Sequence, residues 1–152
     1  INKYRDPWIN NYEEEGVYYY LPKRKDAYYQ HIDGIEIFED YIKKFHLSNL
    51  YSTIYEGNIL EFDFNFYDLI IMGDVLEHIH IKPAQKLIQS LISKSNQLLV
   101  GVPYQLHQGA TYGNEYETHH QPDLTKKIML ERYPELNYLC GNASYGYFIS
   151  TI

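Results

Sequence analysis

From His31 onward the chain alternates short apolar runs of strand character with stretches of helical spacing. A chain of this pattern has one economical way to bury both kinds of surface, a mostly parallel α/β sheet flanked by helices. His31 to Ile37 reads as a strand, and a short amphipathic helix follows from about Glu39 to Phe45. Asn49 to Tyr55 is a second strand closed by the turn pair Gly57-Asn58. Tyr67 to Met72 is a third, and its nearly unbroken apolar run predicts burial on both faces. Pro83 suits the first turn of a helix whose Ala84, Leu87, Ile88, Leu91 and Ile92 form one apolar stripe. Gln97 to Val102 is a fourth strand, stopped by Pro103, and a further helix from about Leu124 to Arg132 ends at Pro134. The last two strands, near Tyr138 to Cys140 and Tyr145 to Ile152, are joined through Gly141-Asn142. So short a connection requires an antiparallel hairpin, because a parallel crossover needs a dozen or more residues.

Length and composition narrow the class. The 152 residues suffice for a single domain, with residues 1–30 as a poorly defined N-terminal segment and 31–152 as the readable core. No apolar window is long enough for a membrane span and no secretory signal opens the chain, so a cytoplasmic protein without membrane contact is expected. The one cysteine, Cys140, excludes an internal disulfide and a Cys-based zinc site, and on its predicted strand it reads as a small buried hydrophobe. The net charge of -7 gives no basic stripe for a phosphate backbone, which makes nucleic acid an unlikely partner and favours a small-molecule one. The 18 Tyr accompany many Ile, Asn and Lys, a mix that compositional bias of the coding sequence explains.

In open α/β sheets ligands bind beyond the carboxyl ends of the strands. Three such ends carry polar residues: Glu36, Asn58 and Gly73-Asp74. A carboxylate at Glu36 could accept from both hydroxyls of a ribose, or be a solvated charge at a strand end. His78-Ile79-His80 and His119-His120 lack a matched carboxylate spacing, and no metal site is expected from them. The loop of about twenty residues from Tyr104 to Asp123 is long for a compact domain and is a candidate substrate wall, with Tyr104, His107, Tyr112 and His119 as contact residues. The other reading of this segment is an adaptable surface loop.

The run Tyr67-Asp68-Leu69-Ile70-Ile71-Met72-Gly73-Asp74-Val75-Leu76-Glu77-His78-Ile79 resembles the fourth-strand motif of class I S-adenosylmethionine-dependent methyltransferases, and Asp33-Gly34-Ile35-Glu36-Ile37-Phe38 is similar to their second strand. The resemblance runs from about residue 31 to the end, including the final hairpin, and implies a Rossmann-like fold with S-adenosylmethionine as cofactor. It implies that Glu36 binds the ribose hydroxyls, that Ile37 and Phe38 line the adenine, and that Asn58 and Ile59 meet the adenine edge. Gly73 and Asp74 would lie beside the methionine end. Asp74 and His78 would stand at the methyl-transfer cleft, His78 either as a base for a protonated nucleophile or as a structural ring. Glu77 would be close by, or be a solvated or capping carboxylate. An in-line transfer from a sulfonium depends mainly on alignment, so a base is required only for a protonated acceptor.

One part of the family pattern is missing. No strand followed by a glycine-rich turn precedes Asp33, and Gly16 is the only glycine among the first 33 residues. Gly16 to Leu21 has strand propensity but runs into Pro22-Lys23-Arg24-Lys25. In the family this first strand lies between the strands that end at Glu36 and at Asp74, and its loss would expose two inner edges. The expectation is that residues upstream of Ile1 supply it, or that the N-terminal segment substitutes for it without the glycine loop. The functional expectation is methyl transfer to a small or medium-sized acceptor. Its rival is a non-catalytic module of the same fold that uses the 104–123 loop for protein or sugar contacts.

Overall fold

The computed structural model describes residues 12–13, 16–17, 31–111 and 113–150. The two first fragments, β1 (Tyr12–Glu13) and β2 (Gly16–Val17), pair antiparallel. The rest of the N-terminal segment, the strand propensity at Tyr18 to Leu21 included, lies outside the described residues, as do Tyr112 and the last two residues of the expected final strand. The chain forms two compact units, residues 1–61 and 62–152.

In the first unit β3 (Asp33–Glu36) and β4 (Thr53–Glu56) pair in parallel, in register from Asp33 opposite Thr53 to Glu36 opposite Glu56. The crossover holds α1 (Glu39–Lys44), with Glu39 and Asp40 in its first turn and Lys43 and Lys44 in its last, the order that complements a helix dipole. Residues Leu47–Asn49 form a 3-10 turn rather than the start of the strand, so β4 begins later than its sequence suggests. His46 enters that turn in the left-handed region, with φ 51°, and redirects the chain. Gly34 has a tight environment: a Cβ there would lie 2.8 Å from Ile54 and 2.9 Å from Tyr51.

The second unit is a four-stranded sheet in the order β5-β6-β8-β7, made of β5 (Tyr67–Gly73), β6 (Ser95–Pro103), β7 (Leu136–Gly141) and β8 (Tyr145–Ser150). The β5–β6 pair is parallel, and β8 runs antiparallel to both β6 and β7. The parallel pair is connected through α2 (Ile81–Ser93), with Pro83 in its first turn and Ala84, Leu87, Ile88 and Leu91 buried. These meet Met72, Leu98, Val100 and Val102 of the sheet in one core. A second helix, α3 (Lys126–Arg132), is capped by Thr125, whose Oγ1 accepts from Ile128 N at 3.1 Å, and it buries Met129. Tyr133, Leu136 and Phe148 are fully or almost fully buried.

Two further expectations change. β5 is not buried on both faces: Met72 is enclosed, but Leu69 and Ile71 on the other face are 45% and 67% exposed. A sheet face is dry only where another layer covers it, and an apolar run does not say whether one or both faces are covered. Cys140 is exposed, not buried. The register shift between Tyr138 and Cys140 reaims the strand there, so the two-residue alternation that would have turned Cys140 inward is broken. Among the described residues β3 pairs only with β4, and β5 only with β6, so both are edge strands. No helix of the described residues is long and apolar enough to cross a membrane.

Candidate functional site

Within the first unit, polar groups gather at the carboxyl ends of the parallel pair. Glu36, half-buried at the end of β3, accepts a hydrogen bond from Phe38 N on Oε1 at 2.8 Å, while its own carbonyl accepts from Gly57 N at 2.9 Å. One carboxylate oxygen is thereby fixed in direction. Ile37 is half-buried, and Phe38 packs edge-on against Tyr41, ring centres 5.0 Å apart, at the entry to α1. Asn58 follows β4 and closes an Asx turn, its Oδ1 accepting from Leu60 N at 2.9 Å, with Ile59 half-buried inside that turn.

In the second unit the corresponding strand end is β5. Gly73 is exposed, and Asp74 is exposed with φ 51°, a left-handed conformation that a non-glycine residue rarely holds. Aspartate tolerates this better than most, and backbone strain of this kind is concentrated at functional positions. Asp74 N donates to Gly101 O at 3.1 Å. Burial, followed by the charge of Asp74, pushes the Tyr145 hydroxyl well above the ordinary tyrosine value.

The turn after Asp74 contains a 3-10 segment, Leu76–His78, whose Leu76 and Glu77 are buried. Glu77 is 1% exposed, neither a solvated nor a surface capping carboxylate, and its Oε2 has no hydrogen-bond partner among the described residues. Burial pushes the carboxyl up to about 8, with the charges of Asp74 and Glu117 adding to the rise. His78 is held at Nδ1 by the Thr118 carbonyl at 3.3 Å, and burial lowers its proton affinity below the usual histidine value, as does His119 beside it.

The 104–123 loop returns to this turn at its far end. His119 stands edge-on to His78, ring centres 4.7 Å apart, and its Nδ1 meets the Leu106 carbonyl at 2.9 Å. His120 stacks on His80 at 3.9 Å. The histidines read as two sequence pairs, 78 with 80 and 119 with 120, are thus exchanged in space. His120 N and Gln121 N both donate to Glu77 O, at 2.8 and 3.0 Å. Gln121, buried, is the fastening: its Nε2 donates to the carbonyls of Leu76 at 3.0 Å and Ile79 at 2.8 Å. Its Oε1 accepts from Arg132 at 2.9 Å and from the Tyr133 hydroxyl at 2.8 Å. Asn114 closes a small turn in the same loop by accepting from Tyr116 N at 3.0 Å.

Of the residues expected to contact substrate, His119 is brought to the turn of Asp74 and His78, whereas His107 is exposed elsewhere in the loop. Tyr104 N donates to Ser144 O at 2.8 Å, and the Tyr104 hydroxyl, buried and without a hydrogen-bond partner among the described residues, lies over Gly146 of β8, where a Cβ would collide with it. Tyr112 lies outside the described residues. Sequence reading left the role of Glu77 open and missed Gln121. A buried glutamine inside a polar loop has no periodicity to announce it. Glu77, His78 and His119 each offer one metal-ligating atom, and these atoms lie within 4.8 Å of one another.

No family model matches the sequence, and no curated protein matches it. Solved structures do. The N-terminal domain of EvdMO1 with SAH bound is similar over 80% of this chain and 64% of that one, at a TM-score of 0.57 and 12% identity. The small RNA methyltransferase HEN1 is similar over 78% of this chain and 20% of its own, at 0.57 and 16%. Magnesium protoporphyrin IX methyltransferase (ChlM) from Synechocystis PCC 6803 with bound SAM is similar over 78% of this chain and 57% of its own, at 0.51 and 12%. The chain therefore spans less than two thirds of each of these structures. At these identities the likeness defines the fold: the chain has the Rossmann-like fold of class I methyltransferases.

Proposed function

We propose that this chain binds S-adenosylmethionine and transfers its methyl group to a small or medium-sized acceptor, within a single methyltransferase domain. The observation that carries the reading is Glu36: a carboxylate at the carboxyl end of a parallel strand, with one oxygen already fixed by Phe38 N at 2.8 Å, is built to accept from vicinal ribose hydroxyls. Similar structures solved with SAH or SAM support the choice of cofactor. In this reading Ile37, Phe38, Asn58 and Ile59 contact the adenine, and Gly73 and Asp74 the methionine end. His78, its Nδ1 turned to a carbonyl and its protonation disfavoured by burial, is neutral near pH 7 and able to take a proton from an acceptor hydroxyl or amine. Tyr104, His107, Tyr112 and His119 form the acceptor side.

The net charge of -7 supports a small molecule over a polynucleotide as acceptor, in a cytoplasmic protein. Because one similar structure is an RNA methyltransferase, a short RNA belongs among the acceptors tried. Calorimetry of SAH with the full-length protein is the primary test. Binding is expected, weakened by more than about tenfold in Glu36→Ala, since two charge-assisted hydrogen bonds are lost. Wild-type protein that takes up no SAH overturns the reading and leaves the non-catalytic module.

A further inference from the structure

We propose that Glu77, His78 and His119 form a binding site for one divalent first-row transition-metal ion, such as Zn²⁺, Mn²⁺ or Co²⁺. Their ligating atoms lie within 4.8 Å of one another, and small side-chain adjustments close that spacing around an ion.

Two observations point to a ligand. Glu77 is 1% exposed, yet its Oε2 has no hydrogen-bond partner among the described residues. A buried oxygen left in that condition costs free energy that coordination would recover. Both histidines are also oriented in the manner of metal ligands. A carbonyl can only accept, so the Nδ1 of His78 facing Thr118 O and the Nδ1 of His119 facing Leu106 O must carry the proton. In the neutral rings Nε2 then holds the lone pair, and a backbone carbonyl on the opposite nitrogen is the usual support of a ligating imidazole.

Two imidazole nitrogens and one carboxylate oxygen suit a borderline transition ion over Ca²⁺ or Mg²⁺, which prefer all-oxygen shells. Three protein ligands leave coordination positions open, the arrangement of an exchangeable rather than a purely structural site. Glu77 would bind the ion as the carboxylate, and both histidines as neutral rings. The site does not depend on S-adenosylmethionine binding.

The test is a Co²⁺ titration of untagged, chelator-treated full-length protein, followed by visible absorption. Saturable binding of one ion is expected. His78→Ala, His119→Ala and the near-isosteric Glu77→Gln should each weaken it by more than about tenfold. His80→Ala and His120→Ala, which remove the stacked pair outside the group, should leave it unchanged. Circular dichroism of each variant establishes that it is folded, and SAH calorimetry on the chelator-treated protein keeps the cofactor question separate. Absence of saturable Co²⁺ binding overturns the proposal. So does an affinity unaffected by His78→Ala and His119→Ala, or one lost equally on removal of His80 or His120.

Discussion

Asp123 and Arg132 form the best-made ion pair among the described residues, with two hydrogen bonds of 2.7 and 3.1 Å between guanidinium and carboxylate. The hydrogen bonds from Arg132 hold the Asp123 carboxyl below its ordinary value of 3.8. A carboxyl depressed in the folded state binds fewer protons there than when unfolded. Its contribution is therefore complete above the unfolded value and disappears as pH falls through the folded one. Asp123 is 55% exposed, so solvent screening limits the pair to about 0.5–1 kcal/mol. Asp123→Asn should be less stable than wild type by that amount at pH 7, measured by urea denaturation, and the gap should close at pH values below the depressed one. A gap independent of pH would mean that the carboxylate charge is not what Arg132 recognises. At this scale the sequence was legible where a motif spoke for a residue. The places of Glu36 and Asp74 at strand ends were readable from the apolar runs before them, whereas the burial of Glu77 was not. An acid next to a histidine in a turn looks the same whether its carboxylate faces water or the core.

At the scale of elements, the second unit depends on one long connection. The segment between β6 and α3 reaches back to the turn after β5 and is fastened there by Gln121, whose four side-chain hydrogen bonds leave it fully satisfied. Gln121→Leu keeps the volume but orphans the Ile79 carbonyl and the Tyr133 hydroxyl, and removes one bond each from the Leu76 carbonyl, which keeps that from Ile79 N, and from Arg132. A loss of about 2–4 kcal/mol is expected by chemical denaturation, since each unsatisfied buried group costs roughly 1–3 kcal/mol and partial rehydration recovers some of it. A variant as stable as wild type would show that the loop is held by other contacts. Periodic elements were the easiest to read: α2 and β6 stand where their spacing put them, because an apolar stripe reports a buried face directly. The start of β4 was misplaced, since Leu47–Asn49 has no pattern that separates a 3-10 turn from extended chain.

For the whole molecule, burial is unevenly shared. Leu98, Val100, Val102 and Phe148 of β6 and β8 are fully buried, while β3 and β4 contain no fully enclosed residue. Local opening follows buried contact, so amide hydrogen exchange should be slowest in β6 and β8 and faster by about a hundredfold or more in β3 and β4. Equal protection would mean that the parallel pair opens only with the rest of the protein. The fold class was legible because alternation of strand and helix leaves few layer arrangements, and the antiparallel final hairpin followed from connection length alone. The exposure of Leu69 and Ile71 was not, because an unbroken apolar run states that a strand is greasy and not how many layers cover it.

The fastening of the loop has a consequence for descent. Gln121 Nε2 and the amides of His120 and Gln121 all end on main-chain carbonyls, those of Leu76, Glu77 and Ile79. Carbonyls are present whatever side chains surround them, so mutations in the turn leave the receiving end intact. The loop positions before the anchor can therefore change from one lineage to another without detaching the segment. Relatives of this chain that take a different acceptor should differ most between residues 107 and 117 and still dock the loop at the same turn.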